Sequence, residues 1–296
     1  MRAFLPAYDM RQAASLQEAL SLMAEAGGGW RPFAGGTDLM VLLESGALPR
    51  GRYVSLWGLE ELRGVNETPT EVAIGALTTY AEIRNSGVLA REFPLLGRAA
   101  TETGGLAIQN RGTLAGNIAN ASPAADSPPA LLVYDAQLEL ASLGGGRRVP
   151  YERFHLGYKQ MDLAPDELIA RIILPRGRRG WREYYRKVGT RRAQAISKVC
   201  MAGAIRLEDG RVHDVRIALG SVAPVPLRCV ATEAALRGTA LDEEALADAG
   251  RALSNEISPI DDVRSTSRYR RQVALNLLRE FLVGNGSVDR ATSQAT

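Results

Sequence analysis

The sequence predicts an α+β protein with a larger first part and a smaller second part of antiparallel strands with helices. Three observations support this. Helical spacing and strand-like runs interleave up to Leu174. The composition then shifts at Arg176-Gly177-Arg178-Arg179-Gly180, which is typical of a linker or an exposed turn. Strand-like segments and then helical ones follow that stretch, which favours strands packed against helices in the second part.

The first elements surround a glycine pair. Ser15-Leu16-Gln17-Glu18 has the form of a capping box and predicts a helix that Gly27-Gly28-Gly29 ends. A short strand is expected from Trp30 to Ala34, with a turn at Gly35-Gly36. A helix is expected through Leu39 to Leu43, with Thr37 and Asp38 as its capping residues. A strand, a glycine turn and a helix in this order aim backbone amides at a phosphate group.

The middle of the chain predicts further strands and helices. Gln137–Leu140 alternates with period two, as an edge strand would. The other expected elements are strands at Tyr53–Leu56, Glu71–Gly75 and Glu167–Leu174, a helix between Thr79 and Arg84, a stretch from Pro94 to Gly105, and an apolar run at Leu131–Tyr134.

Strands are expected at 181–188, 199–207 and 212–220, the last two joined by a hairpin at Glu208-Asp209-Gly210. Helices are expected at Asp242–Leu253 and Ser267–Leu282. We predict a first domain at 1–175, with subdomains of about 1–57 and 58–175, a second domain at 176–284, and a flexible tail at 285–296.

The composition excludes several classes of protein. The net charge is +3, from 36 basic and 33 acidic residues, which is too small an excess to indicate nucleic acid. No apolar run reaches the roughly 20 residues of a membrane span, and Met1–Pro6 has no signal-peptide character, so we expect a cytoplasmic protein. With Cys200, Cys229, His155 and His213 as the only cysteines and histidines, no metal site is expected in the chain. The cysteines are expected to be buried thiols, and His155 to pack or to cap a helix.

Two glycine-rich segments carry the strongest functional signal. The first is Phe33-Ala34-Gly35-Gly36-Thr37-Asp38-Leu39, and the second runs from Gln109 to Ile118 and continues to Asp126. Amides without bulky side chains can approach a diphosphate closely, so the pair suggests a long phosphate-bearing cofactor held at two places. Either segment alone could be an ordinary turn. Neither has the Rossmann or the Walker pattern, but Leu114, Ile118 and Ala119 occupy buried-looking positions that a surface loop would not need.

A basic cluster follows the expected domain boundary, with only Glu183 against it in the local sequence. Three interpretations are considered, in order of preference: a solvated, partner-facing surface, a position near cofactor or dinucleotide phosphates, and nucleic-acid binding. The cluster comprises Arg176, Arg178, Arg179, Arg182, Arg186, Lys187, Arg191 and Arg192.

The paired glycine segments closely resemble those of the FAD-binding medium subunits of molybdenum hydroxylases, the group of xanthine and carbon monoxide dehydrogenases and quinoline oxidoreductase. The resemblance covers nearly the whole chain. The matching motifs are Ala34–Leu39, Gly75–Thr79, Ile108–Asn117, Asp166–Ile169, Arg186-Lys187, Ile196–Val199 and Ala223–Arg228. Many members carry Gly where this chain has Ala115, and alanine requires an ordinary backbone angle there.

The resemblance implies a two-part FAD-binding domain of the PCMH type, similar to vanillyl-alcohol oxidase, followed by the smaller domain. It also implies which residues bind non-covalent FAD, and neither segment offers a His or Cys for covalent attachment. Lys187 would reach the flavin from the second domain, and 188–198 would be a mobile loop near its ring. The implied FAD-binding residues are Pro32, Phe33, Ala34, Gly35, Gly36, Thr37, Asp38, Leu39, Thr113, Leu114, Ala115, Gly116, Asn117, Asp126, Ile169 and Lys187.

By the same resemblance, the chain would be an electron-transfer subunit without catalytic residues of its own. A large subunit would hold the molybdenum cofactor and a small subunit the 2Fe-2S clusters, and the complex would be a dimer of heterotrimers. NAD or another acceptor would receive the electrons. Xanthine or another purine is the first expected substrate. The alternatives are a stand-alone FAD-dependent oxidase and a non-catalytic nucleotide-binding module. Protein partners, and neither nucleic acid nor a membrane, are expected.

Overall fold

The computed structural model describes residues 8–25, 29–178, 180–191 and 194–286. Its first part is a three-stranded parallel sheet in the order β1-β3-β2, made of β1 (Tyr8–Gln12), β2 (Arg31–Phe33) and β3 (Gly51–Ser55). Helices α1 (Leu16–Met23) and α2 (Leu39–Glu44) connect the strands. The Glu18 backbone amide donates to Ser15 Oγ at 3.1 Å, as the capping pattern predicts. The predicted glycine stop at 27–29 lies mostly outside the described residues.

The second sheet is five-stranded and antiparallel, in the order β4-β5-β10-β6-β7. Its strands are β4 (Val65–Glu67), β5 (Glu71–Gly75), β6 (Gln137–Ser142), β7 (Gly145–Pro150) and β10 (Leu168–Pro175). The prediction that Gln137–Leu140 forms an edge strand is wrong, because β6 pairs with β10 on one side and with β7 on the other. The alternation instead reflects one buried face, since Leu138 and Leu140 are fully buried.

Short helices cover this sheet and connect its strands. Thr79 begins α3 with a complete capping box in which the Glu82 carboxylate accepts from the Thr79 amide at 2.6 Å. Leu131–Val133 belongs to a helix, and Tyr134 is its C-cap. The elements are 3-10 turns at Glu60–Leu62 and Tyr151–Arg153, α3 (Tyr80–Asn85), α4 (Gly87–Glu92), α5 (Pro94–Glu102), α6 (Leu106–Gln109), α7 (Leu114–Ala119), α8 (Pro128–Val133), and the hairpin of β8 (His155–Gly157) and β9 (Gln160–Met161).

The third sheet is antiparallel, in the order β11-β12-β13-β14, and helices follow it as predicted. The hairpin at Asp209-Gly210 is confirmed, with φ of 49° and 73°, the left-handed values that a tight hairpin turn needs. The elements are β11 (Arg182–Val188), β12 (Val199–Glu208), β13 (Arg211–Gly220), β14 (Leu227–Arg228), α9 (Val230–Leu236), α10 (Glu243–Glu256) and α11 (Ser267–Gly286).

Strand β12 contributes to two hydrophobic cores because its side chains alternate between the faces of the third sheet. Cys200, Ala202 and Ala204 join the core of the first two sheets, whereas Met201 and Ile205 pack with α11 residues such as Phe281. The α+β prediction is confirmed. The domain division near 175–180 stays a prediction, which the change of sheet between β10 and β11 supports.

The predicted flexible tail at 285–296 overlaps the end of α11 at residues 285 and 286. Its other residues lie outside the described ranges. Among the helices that the structure describes, none combines the length and the apolar character that crossing a bilayer requires.

Candidate functional site

The first glycine segment leaves the end of β2 and enters α2 through a turn with no room for side chains. Gly36 has a φ of +77°, and a Cβ on it would lie 2.5 Å from the Phe33 ring. A Cβ on Gly35 would lie 1.7 Å from the Arg111 carbonyl oxygen, which belongs to the second segment. The two glycine segments therefore lie directly against each other, and only glycine permits this distance.

The second segment starts at the last residue of α6, turns into α7 and continues as turns to Asp126. Thr113 caps α7, because its Oγ1 accepts from the Gly116 amide at 3.1 Å. Leu114 and Ile118 are fully buried as predicted, whereas Ala119 is exposed. Ala115 lies inside α7 and has no positive φ, so the expected ordinary backbone angle is confirmed.

Backbone hydrogen bonds fix the second segment to the residues that follow β5. The Leu114 amide donates to the Thr78 carbonyl at 3.0 Å, and the Tyr80 amide donates to the Gly112 carbonyl at 3.1 Å. Thr79 and Thr113 form an isolated antiparallel bridge between these bonds. The second sheet thus holds the segment rigidly, which suits a binding surface that must not rearrange.

Asp38 does not cap α2 through its side chain, contrary to the prediction. Its carboxylate instead accepts from Asn120 Nδ2 at 3.1 Å, and Asn120 Oδ1 accepts from Lys159 Nζ at 2.6 Å. Lys159 is the hairpin residue between β8 and β9 and has a φ of +58°. These contacts connect the first segment, the end of α7 and the hairpin.

Asp126 and Lys187 form an ion pair across the predicted domain boundary. Lys187 Nζ donates to Asp126 Oδ2 at 2.7 Å and to the Glu102 carbonyl at 2.8 Å. The lysine side chain is 4% exposed and the aspartate side chain 10%. Burial raises the pKa of Asp126, while Lys187 and a hydrogen bond from Ser197 oppose the shift. The pair thus connects β11 to the segment after α7.

Ser197 and Tyr185 complete the surroundings of Asp126. Ser197 Oγ donates to Asp126 Oδ1 at 2.6 Å, and the Tyr185 hydroxyl donates to the Asp126 carbonyl at 3.1 Å. Ser197 is fully buried, so the end of the 188–198 segment is fixed. Residues 192 and 193, in the middle of the predicted mobile loop, lie outside the described residues.

Ile169 is a buried strand residue. It is 5% exposed in β10 and faces Leu140 of β6, at a register shift between Ile169 and Arg171. Helix α7 packs on β10, so Ile169 lies in the sheet that supports the second segment. The structure therefore brings together the two glycine segments, and separately Asp126 with Lys187, with Ile169 in the sheet beneath α7.

Sequence reasoning missed residues whose role depends on contacts between distant segments. Arg111 stacks on Trp57, with its guanidinium carbon 3.6 Å from the ring centroid. Asn120 and Lys159 connect the segments, and neither has a local pattern that indicates it. Ser197 lies within the 188–198 segment, which the family resemblance had already indicated.

Several members of the basic cluster are paired with carboxylates, and one is buried. Arg176 pairs with Glu92 at 2.7 Å, Arg178 with Asp135 at 2.5 Å and Arg186 with Glu280 at 2.5 Å, while Lys187 is buried. Only Glu183 opposes these charges in the local sequence, whereas Glu92, Asp135 and Glu280 come from remote parts of the chain. Arg179 and Arg192 lie outside the described residues.

Exposed apolar side chains surround the glycine segments. A Cβ on Gly36 would lie 3.6 Å from Met40, and a Cβ on Gly104 would lie 2.7 Å from Ile108. Large side chains this exposed, beside backbone too close for a Cβ, fit a surface that a flat, partly apolar ligand or a partner covers. They are Met40 (52%), Val41 (61%), Leu106 (70%) and Ile108 (40%).

Both main parts of the chain match known protein families. Residues 6–177 match the family described as the FAD binding domain in molybdopterin dehydrogenase, and residues 183–284 match the CO dehydrogenase flavoprotein C-terminal domain.

Individual proteins are similar over nearly the whole chain. The glyceraldehyde dehydrogenase medium chain of Sulfolobus acidocaldarius is 33% identical, covering 90% of this chain and 94% of its own length. The xanthine dehydrogenase FAD-binding subunit of Escherichia coli O157:H7 is 30% identical, covering 92% and 93%. A solved structure of carbon monoxide dehydrogenase from Hydrogenophaga pseudoflava matches with a TM-score of 0.89 and 29% identity, covering 94% of this chain and 96% of that one.

The family matches cover both parts of the chain, and the solved structure has the same fold. The chain therefore belongs to the family of FAD-binding oxidoreductase subunits of molybdenum hydroxylases.

Proposed function

We propose that the two glycine segments together hold the diphosphate of FAD. The observation that carries this proposal is their direct contact, in which Gly35 lies against the Arg111 carbonyl and Gly36 adopts a left-handed backbone. At Gly35 and Gly36 no side chain covers the backbone, so the amides of this turn can donate to phosphate oxygens without steric hindrance. The proposed FAD-binding residues are Pro32–Leu39, Thr113–Asn117, Asp126, Ile169 and Lys187.

Asp126 and Lys187 have distinct tasks in this proposal. Lys187 uses two of its donors on Glu102 and Asp126, which leaves one for a ligand. The carboxylate of Asp126 fixes the ammonium group and neutralises it, and Ser197 holds the carboxylate in turn. The chain thus presents a positioned donor to the flavin without adding net charge.

The proposed role is electron transfer within a complex. When bound, FAD supplies the redox centre between the iron–sulfur clusters of one partner subunit and NAD or another acceptor. We expect a large molybdenum-cofactor subunit and a small iron–sulfur subunit as partners. The three subunits would assemble as a dimer of heterotrimers. We expect the complex in the cytoplasm, where NAD is available as an acceptor. The relatives named as a medium chain or an FAD-binding subunit support a complex with other subunits.

The substrate would be chosen by the molybdenum subunit. Xanthine or another purine is the first substrate to test, because the E. coli relative is a xanthine dehydrogenase subunit. An aldehyde is the second, because the Sulfolobus relative is named for glyceraldehyde.

FAD content tests the proposed site directly. Gly35→Val and Gly116→Val should lose FAD, because the first side chain would overlap the Arg111 carbonyl and the second would lie 2.7 Å from Thr113 Oγ1. Gly97→Ala is the control, because nothing lies within 4 Å of its added Cβ. Flavin absorbance after purification, with circular dichroism to confirm folding, gives the result. Folded glycine variants with full FAD content would contradict the proposed site.

Co-purification with the partner subunits distinguishes the alternatives. An electron-transfer subunit should show bleaching of FAD absorbance when substrate is added to the complex, followed by NADH formation. A stand-alone oxidase would reduce FAD without partners, and a binding module would show no FAD reduction in the complex. The mass of the purified complex tests the dimer of heterotrimers.

A further inference from the structure

Two arginines stack on one tryptophan beside the glycine segments. The guanidinium carbon of Arg111 lies 3.6 Å from the Trp57 ring centroid, and that of Arg63 lies 4.5 Å from it. Guanidinium groups stack favourably on indole faces, and the stacking restricts their orientation. Trp57 follows the end of β3, so a rigid element fixes its position.

The two arginines differ in their other contacts. Arg63 donates to the Trp57 carbonyl at 2.7 Å and lies within 4.0 Å of the Glu60 and Glu82 carboxylates. Across the described ranges, the Arg111 guanidinium has no carboxylate, carbonyl or hydroxyl acceptor, and it stacks on Trp57. Arg111 thus holds a fixed, exposed and uncompensated positive charge.

The backbone of Arg111 lies at the junction of the two glycine segments. The Arg111 carbonyl lies against Gly35, and the next residue, Gly112, is held by the Tyr80 amide. Thr113, which caps α7, is two positions further along. A planar guanidinium whose donors have no acceptor in the described part of the chain can donate two parallel hydrogen bonds to a pair of phosphate oxygens.

We propose that Arg111, oriented by Trp57, is a phosphate-binding residue at this junction. The phosphate belongs either to the diphosphate of FAD or to a dinucleotide acceptor that approaches the same edge. This assignment rests on the proposed function. It adds Arg111, a charged residue, to the FAD-binding residues that the family resemblance implies.

Flavin titration of the apoprotein, prepared from the full chain, tests the first source. Arg111→Gln should raise the Kd for FAD about 10- to 100-fold, because a charge-assisted hydrogen bond is lost. The Kd for riboflavin, which has no phosphate, should stay unchanged. Arg111→Lys should recover only part of the affinity because it lacks the planar fork, and Trp57→Leu should weaken FAD but not riboflavin.

Arg50→Gln is the matched control. It removes the same charge from an exposed residue directly before β3, at the end of the strand opposite to Trp57. Its Kd for FAD should equal that of the wild type.

Reduction of the FAD-loaded chain by NADH tests the second source. If the acceptor provides the phosphate, Arg111→Gln should leave the Kd for FAD unchanged but raise the NADH concentration for half-maximal reduction about tenfold or more. Reduction by dithionite should not change. The assignment would be overturned if Arg111→Gln changed neither the Kd for FAD nor the NADH concentration for half-maximal reduction. An equal loss of affinity for FAD and riboflavin would also overturn it.

Calorimetry with inorganic pyrophosphate separates this assignment from the proposed function. A wild-type chain that binds no flavin would refute the proposed function. In that case the Kd for pyrophosphate alone would test Arg111. Weaker pyrophosphate binding by Arg111→Gln than by Arg50→Gln would support the assignment, and equal binding would refute it.

Discussion

At the scale of single residues, the Asp126–Lys187 pair is notable because both charges are removed from water. Its net contribution to stability is small, since the desolvation cost offsets most of the attraction. Removing one partner destabilises the fold strongly, because the other charge then stays buried without compensation. The raised pKa of Asp126 shows that burial already disfavours its charged form.

We therefore expect Lys187→Met to lower the free energy of unfolding by about 3–5 kcal/mol. The double variant Asp126→Asn with Lys187→Met should recover a large part of that loss. Urea unfolding measures both values. Arg186→Gln on the same strand is the control, because its pair with Glu280 is exposed and contributes about 0–1 kcal/mol. Equal costs at the two positions would contradict a buried pair.

His155 gives a prediction for pH dependence. Its Nε2 lies 3.0 Å from the Ile118 carbonyl at the end of α7, which confirms the expected packing or capping role. Burial lowers its pKa, and the hydrogen bond to Ile118 only partly opposes this. His155 therefore binds a proton more readily in the unfolded chain than in the folded one. Its contribution to the free energy of unfolding is present above about pH 6.5 and is lost as the pH falls below that value.

Unfolding free energies at pH 7.5 and 5.5 test this. The wild type should lose more stability between these values than His155→Gln does. If His155→Gln loses as much stability as the wild type, another group is responsible.

At the scale of elements, β12 shows how one strand joins two cores. Its apolar run gives no sign of which face each residue will occupy, because both faces are covered. Gly203 lies on the face toward α11, where a Cβ would lie 2.9 Å from the buried Phe281 ring. The glycine thus sets how closely the helix can approach the sheet.

Gly203→Ala should destabilise the protein by about 1–3 kcal/mol, because the ring has no space to move. Thermal unfolding measures the change. The reference is Gly97→Ala, where the added methyl meets nothing and helix propensity improves. A melting temperature equal to the wild type would show that α11 adjusts freely.

At the scale of the whole molecule, the core of the first two sheets continues into the third. Tyr185, Cys200, Ala202 and Ala218 all contribute to it, and helices α5 and α8 pack against β11, β12 and β13. A fragment of residues 1–175 would expose this surface to water. We expect that fragment to bind a hydrophobic dye and to unfold without a cooperative transition, as monitored by fluorescence on heating. A cooperative transition would show that the first domain folds alone.

Local patterns in the sequence were sufficient for most elements. The capping residues Ser15 and Thr79 and the Asp209-Gly210 turn act within a few residues of the chain, so their signals survive without tertiary context. Asp38 shows where this fails. It stands at a capping position, but its carboxylate bonds to Asn120, 82 residues away.

The sequence by itself determined the α+β class, the two glycine segments and the family, because glycine spacing and capping patterns are local and specific. Only the tertiary structure decided that Gly35 meets Arg111, that Lys187 pairs with Asp126 and that Arg111 stacks on Trp57. The physical reason is that each of these contacts joins residues far apart in the chain. Their distances follow from sheet packing, which no local pattern encodes.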